Sequence, residues 1–180
     1  MSAKNRGAKV APHEFYPTPR KTVEALIGEL GDYGLDILKY GLMCGDPCAG
    51  DSAIITAFVK NQITEPSQWE WAEIREGKDY LKSGMTGPVD AIITNPPFSL
   101  ATDFIDRSLD EGMFVAYLLR LNFWGSRKRK EWWQGKEPTH QFTLSERPSF
   151  TGKGTDATEY AWFVWDRLGL CKRPPGMYVI

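Results

Sequence analysis

Asp90-Ala91-Ile92-Ile93-Thr94-Asn95-Pro96-Pro97-Phe98 is the stretch that decides how the rest of the chain is read. Its first half, with Val89 before it, is nearly continuous in apolar residues, as a parallel strand buried on both faces should be. The second half stops that strand with a polar residue, two prolines that offer no backbone donor, and an aromatic ring. A bland turn carrying a core phenylalanine is the weaker reading of so unusual a combination.

On either side, strand and helix signals alternate. Residues 42–46 read as a strand, followed by a small-residue turn and a helix over 53–60. Residues 69–74 and 89–94 read as the second and third strands. A helix over 100–109 and a buried strand over 113–119 come next, then closing strands at 141–145 and 160–165. Upstream, Thr18 as N-cap and Pro19 as first helical residue open a helix. Val23, Leu26, Ile27 and Leu30 give that helix one apolar face, and Gly31 or Gly34 ends it. This alternation predicts an α/β fold, a single doubly wound sheet with helices on both faces. Residues 1–13, with Lys4, Arg6 and Lys9, read as a flexible basic arm, 14–166 as the domain, and 167–180 as a C-terminal tail, irregular over 172–176.

Composition narrows the function. The chain has 180 residues, 42% hydrophobic and 25% charged, which suits one soluble globular domain with one sizeable core. Its apolar runs are too short to span a bilayer as helices. Cys44, Cys48 and Cys171 fall in no zinc spacing, so no metal is expected; unpaired thiols fit a reducing cytoplasm. A net charge of −1 is low for a protein that neutralises phosphates. Charge is segregated, however: Arg127-Lys128-Arg129-Lys130 is a dense basic run flanked by Trp124, Trp132 and Trp133. The run reads either as a plain solvated helix face or as a phosphate-contacting patch.

Ligands of such sheets sit beyond the carboxyl ends of the strands. After the first strand stands Asp46-Pro47-Cys48-Ala49-Gly50-Asp51-Ser52, a turn small enough for backbone to approach a ligand. After the second stands Glu73, an acid placed to accept hydrogen bonds from a ribose diol, and then Asp79, able to accept from an adenine amino group. After the third stand Asn95, Pro96, Pro97 and Phe98. An exocyclic base amine is a poor nucleophile because its lone pair is delocalised. Two acceptors, the Asn95 side-chain oxygen and the Pro96 carbonyl, would bind both amino hydrogens and localise that lone pair. Phe98 would stack on a base flipped out of its helix.

These residues resemble the amino-methyltransferases of nucleic acids, especially small phage-type DNA N6-adenine methyltransferases, over roughly 14–166. Glu14-Phe15-Tyr16-Pro17-Thr18-Pro19 looks like the family's motif around the methionine end of S-adenosylmethionine, with Phe15, Tyr16 and Thr18 as contacts. Asp46, Pro47, Cys48, Ala49, Gly50 and Ser52 look like its glycine loop, Glu73 like its ribose acid, Asp79 like its adenine contact. Asn95 to Phe98 looks like its adenine-type catalytic loop. The resemblance implies a Rossmann-like methyltransferase sheet with an antiparallel last strand, S-adenosylmethionine as cofactor and S-adenosylhomocysteine as product. It also implies duplex DNA with a flipped adenine as partner, in restriction–modification or phage-genome methylation. Two departures stand out: Ser52 replaces a glycine, and no sizeable target-recognition domain is recognisable. Recognition is then relaxed, confined to a short sequence, or completed by a specificity partner or a second copy. An antiparallel last strand puts the connection before it on the active face, with Arg147, Phe150 and Lys153. Asn122, Trp124 and the run Arg127, Lys128, Arg129 and Lys130 fall on the same face as DNA contacts. An RNA base methyltransferase, a protein glutamine methyltransferase and a catalytically idle binding module are the alternatives.

Overall fold

The computed structural model describes residues 16–150, 154–155 and 157–180. The proposed arm lies outside them. Among the described residues the chain runs α1 (Arg20–Ile27), α2 (Asp32–Tyr40), β1 (Cys44–Asp46), α3 (Ala53–Lys60), β2 (Trp69–Trp71), α4 (Tyr80–Ser83) and β3 (Ala91–Thr94). It continues through α5 (Ala101–Glu111), β4 (Phe114–Arg120), β5 (His140–Thr143), β6 (Tyr160–Asp166) and β7 (Gly176–Val179). The strands form one seven-stranded sheet in the order β2-β1-β3-β4-β6-β5-β7. β1 to β4 are mutually parallel, and β6, the last strand legible in the sequence, runs antiparallel to β4 and β5. No helix of the described residues is long and apolar enough to cross a membrane.

Period-two alternation explains why the central strands read as continuous apolar runs. In β4, Phe114, Ala116 and Leu118 enter one core with Val23 and Leu26 of α1 and Phe58 of α3. Val115, Tyr117 and Leu119 enter the other with Phe104 and Ile105 of α5 and Tyr80 of α4. Both faces are covered, so register is set twice over, and the carboxyl ends of β1 to β4 come to one edge. Arg120 at the end of β4 lies opposite Tyr160 at the start of β6, which brings the β5–β6 connection to that same edge.

Three sequence expectations need correction. Thr18 caps nothing: the N-cap of α1 is Pro19, with no side-chain cap bond. Its hydroxyl is committed elsewhere, to Asn95. Gly31 and Gly34 do not end α1, which closes at Gly28; Gly31 is instead the N-cap of α2, a helix missing from the sequence reading. Gly34 mimics a terminator but is a packing glycine, because a Cβ there would lie 2.3 Å from the Leu170 carbonyl oxygen. The tail is irregular over 172–175, as expected, but then forms a strand. β7 pairs parallel with β5, with Tyr178 stacked on Phe142 at 5.8 Å. Buried Glu29 holds Arg173 at 2.5 Å and also pairs with Lys172. These contacts join residues far apart in sequence, so local composition could not show them.

Two glycines in α1–α2 separate the packing effect from intrinsic propensity. Gly34→Ala should lower unfolding stability by about 1–3 kcal/mol, the usual cost of overpacking. Gly28→Ala, in ordinary right-handed conformation with its nearest atoms at 3.5 Å, should be neutral or stabilising by up to about 1 kcal/mol. Urea unfolding of both variants measures the contrast; equal effects would contradict the packing role of Gly34.

Candidate active site at the carboxyl edge of the sheet

A cavity of about 420 Å³ opens at the edge where β1, β2 and β3 end. That is the size range of small-molecule sites. Its wall takes Tyr16, Pro17 and Thr18 from the segment before α1, Pro47 to Asp51 from the turn after β1, Glu73 and Asp79 from beyond β2, and Asn95 and Pro97 from beyond β3. Residues scattered through the first hundred positions therefore meet in one place.

Beneath the cavity, Asp46 is fully buried and ties two strand ends together. Its Oδ1 accepts from the Thr94 hydroxyl at 2.7 Å and from the Cys48 amide at 3.1 Å. Its Oδ2 has no partner among the described residues. Burial pushes the carboxyl from its ordinary 3.8 up to about 7, against the lowering pull of the Thr94 and Cys48 bonds. Cys48 lines the cavity, yet burial and then Asp46 hold its thiol far above the ordinary range. Burial pushes Cys44 up to about 12. Neither thiol is a ready nucleophile. The turn continues through Gly50 at φ 59° and Ser52 at φ 61°, both left-handed. Glycine tolerates that conformation freely and serine does not, so Ser52 carries a backbone cost of about 1–2 kcal/mol.

Glu73 is almost wholly buried, two residues past the end of β2. Its Oε2 accepts from the Gly50 amide at 2.9 Å. Its Oε1 accepts from the Arg75 amide at 3.0 Å and from Arg75 Nε at 2.8 Å. Burial alone would raise this carboxyl; the Arg75 and Gly50 bonds outweigh it and hold the group below its ordinary value. A carboxylate offers about four lone-pair positions, so a hydroxyl donor can still be accommodated beside these three bonds. Asp79 caps α4 through the Leu81 amide at 3.1 Å and pairs with exposed Lys82 at 3.1 Å.

Asn95 is pinned from one side only. Its Nδ2 donates to the Tyr16 carbonyl and to the Thr18 hydroxyl, both at 3.1 Å. Both amide hydrogens are thereby used. Its Oδ1 is buried and has no partner among the described residues. Pro96 is buried below the loop, and Phe98 does not line the cavity. The Phe98 ring lies beside it instead, nearly parallel to Tyr16 at 6.3 Å and 5.8 Å from Tyr160.

Phe150 joins this group, 6.0 Å from Tyr16 and 5.0 Å from Tyr160. Phe15 and Lys153 lie outside the described residues. The basic run is not a helix face but a 3-10 turn at Arg127–Arg129. Arg127, Lys128 and Lys130 are exposed, as are Asn122 and Trp124. Arg129 turns inward: Nε donates to the Phe123 carbonyl at 2.8 Å, with the guanidinium 4.2 Å from the Phe123 ring. Arg147 is exposed and paired with Glu159. Residues absent from the sequence reading also shape the cavity, chiefly Arg75, Lys78, Tyr80, Leu100 and Phe104. Their one legible signal was position, just past strands two and three. Away from this edge, His140, Asp166 and Cys171 cluster closely enough to suggest a metal. Their polar atoms serve the fold: the imidazole bonds Thr139 and the Arg173 carbonyl, and Asp166 accepts from the amides of Leu168, Leu170 and Cys171.

No family model and no curated protein matches the chain. Solved structures do. A protein of Pyrococcus horikoshii provisionally named an RNA methyltransferase matches with a TM-score of 0.63 at 16% identity, over 89% of this chain and 88% of that one. A provisionally named class I S-adenosylmethionine-dependent methyltransferase of Listeria monocytogenes gives 0.58 at 14%, over 97% and 67%. A modification subunit of a provisionally named type I restriction enzyme from Vibrio vulnificus gives 0.55 at 16%, over 93% of this chain and 46% of that one. The chain therefore has the Rossmann-like fold of class I methyltransferases, and it spans about half the length of the modification subunit.

Asp46 makes the folded state sensitive to pH. Its folded-state value lies above the unfolded one, so the native protein binds the extra proton between about pH 4 and about pH 7. The stability this contributes is present below that window and lost as pH rises through it. Asp46→Asn should flatten the fall in unfolding free energy between about pH 4 and about pH 7. A fall of undiminished size in the variant would assign the titration to another group.

Proposed function

We propose that the chain transfers a methyl group from S-adenosylmethionine to an amino nitrogen of a nucleic-acid base, with adenine N6 in duplex DNA as the target. The observation that carries this reading is Asn95. Asn95 lines the cavity, its donor end is doubly bound, and its buried Oδ1 is an acceptor with no partner among the described residues. Leaving such an acceptor unpaired costs about 1–3 kcal/mol, which a ligand N–H would recover.

The residues present fit the cofactor. Glu73 offers remaining acceptor capacity for a ribose hydroxyl, Asp79 a carboxylate for an amino group, and Asp51 further negative charge for a cation. Tyr16 and Thr18, held against Asn95, would face the methionine end, and Asp46 to Ser52 would support the middle. When bound, S-adenosylmethionine supplies an electrophilic methyl group on a cationic sulfur. Asn95 Oδ1 would accept one amino hydrogen of the target, drawing lone-pair density onto the nitrogen. Pro96 and Pro97 stiffen the loop, so this acceptor is in place before the target arrives. Positioning and fixed dipoles then supply most of the acceleration, with no strong base needed before transfer. The Phe98 ring, beside the cavity rather than in its wall, would provide the stacking surface.

Exposed Arg127, Lys128 and Lys130, with Asn122, Trp124 and Arg147, supply the phosphate-contacting surface in this reading. Phe150 belongs to the target side, beside Tyr160. With so little of the chain left for base readout, a specificity partner or a second copy would complete recognition. RNA is the second reading, favoured by the Pyrococcus horikoshii neighbour, whose length this chain nearly matches.

Asn95→Ala tests the central role. Turnover should fall on the order of a hundredfold or more while cofactor affinity stays near wild type. Normal turnover would remove the reading. Glu73→Ala should instead weaken cofactor binding by about 1–3 kcal/mol in calorimetry; unchanged affinity would reassign that carboxylate.

The basic turn divides further. Neutralising Arg127, Lys128 and Lys130 should lower affinity for all sequences and flatten its salt dependence. Arg129→Ala should mainly lower stability, because its guanidinium is spent on Phe123. Salt slopes unchanged in the triple variant would return the turn to an ordinary solvated surface.

A further inference from the structure

Arg120 belongs to no motif in the sequence, yet it stands against the catalytic loop. It ends β4 directly opposite Tyr160 at the start of β6. Opposed residues of antiparallel strands share a face, so both side chains rise beside Phe98. Arg120 Nε donates to the Tyr160 hydroxyl at 3.1 Å, and its guanidinium carbon lies 4.8 Å from the centre of the Phe98 ring. Tyr160 is buried and packs on both Phe98 and Phe150; Tyr16 packs on the same two rings. Four rings form a closed circuit, each touching two others, with a cation over one member.

That cation bridges two members of the circuit. Phe98 opens a three-residue 3-10 turn and is only half-buried, so backbone alone constrains its ring weakly. Tyr160 contributes a buried hydroxyl that requires a partner, and Arg120 supplies one. A guanidinium can donate through Nε and still lay its plane over an aromatic face; an ammonium is a point charge and does one task at a time. Arginine is thus the side chain suited to bridge a tyrosine hydroxyl and a phenylalanine ring.

We propose that Arg120 is a positioning residue for the target base, holding the Phe98 ring in the orientation on which the base stacks. This rests on the stacking role given to Phe98 above. Arg120 acts through Phe98 and Tyr160, so its loss falls on capture of the target rather than on cofactor binding or on the Asn95 acceptor.

The test compares wild type with Arg120→Ala, Arg120→Lys and Arg120→Gln, using duplexes with 2-aminopurine at the target position. Arg120→Ala should raise KM for the duplex about three- to thirtyfold, the range expected for one cation–π contact. The fall in kcat should be smaller, and cofactor affinity should be unchanged. Arg120→Lys should lie between wild type and Ala, and an unpaired target base should recover part of the loss by lowering the cost of flipping. A wild-type KM in Arg120→Ala would overturn the proposal, as would equal losses in KM and cofactor affinity. Arg120→Gln can still bond Tyr160 without charge; if it matched wild type, the cation would have no role. The support itself is read without substrate: the Arg120 Nε–H proton resonance should be ring-current shifted and should move in Phe98→Leu. An unshifted resonance overturns the proposal whether or not Arg120→Ala folds. Absence of methyl transfer to DNA or RNA by wild type would sink the stacking reading instead, leaving the resonance to decide the ring support.

Discussion

Both hydrogens of the Asn95 amide are bound to residues nearly eighty positions upstream, and the site depends on that constraint. The Tyr16 carbonyl and the Thr18 hydroxyl take the two donors. One consequence is orientation: with its nitrogen end committed, only the amide oxygen is left without a partner among the described residues. A second is assembly, because the same bonds hold the segment before α1 against the loop after β3. A Thr18 hydroxyl acting as helix cap would be lost to Asn95, and α1 does without it. Helix capping typically contributes about 1 kcal/mol, so the protein gives up that stabilisation to fix an acceptor.

The sheet makes this geometry rigid. β3 and β4 are buried on both faces, and a one-residue slip would exchange two packed cores. Their ends therefore sit at fixed heights, and Asp46 joins β1 to β3 through Thr94 directly under Asn95. Such a link is costly, since it buries a carboxylate whose second oxygen has no partner among the described residues. The strain at Ser52 lies on the same turn. Backbone strain and buried polar atoms concentrated around one cavity are expected of a site kept for binding rather than for stability.

How far the sequence was legible follows the range of the interactions involved. Strands β3, β4 and β6 announced themselves because burial on both faces leaves a nearly unbroken apolar run. The turn after β1 and the loop after β3 were legible because glycine and proline have few other uses there. What escaped notice depends on distant partners. Gly34 looked like a stop because nothing local reveals Leu170 above it. β7 looked like a tail because its ordering comes from β5 and Glu29. Arg129 looked like one of four equivalent cations, whereas Phe123 and its carbonyl had claimed it. Arg120 carried no signal at all, since its meaning comes from register with Tyr160.

The chemical identity of the product bears most directly on the role of Asn95. The protein, given isotopically labelled S-adenosylmethionine with duplex DNA and, separately, with RNA, would be assayed by complete digestion to nucleosides and mass spectrometry. The account predicts label on the exocyclic nitrogen of a purine nucleoside, as N6-methyldeoxyadenosine from the DNA. Label on a ring carbon, a ring nitrogen or a ribose oxygen would contradict it, because the role given to Asn95 Oδ1 is to localise the lone pair of an exocyclic amine.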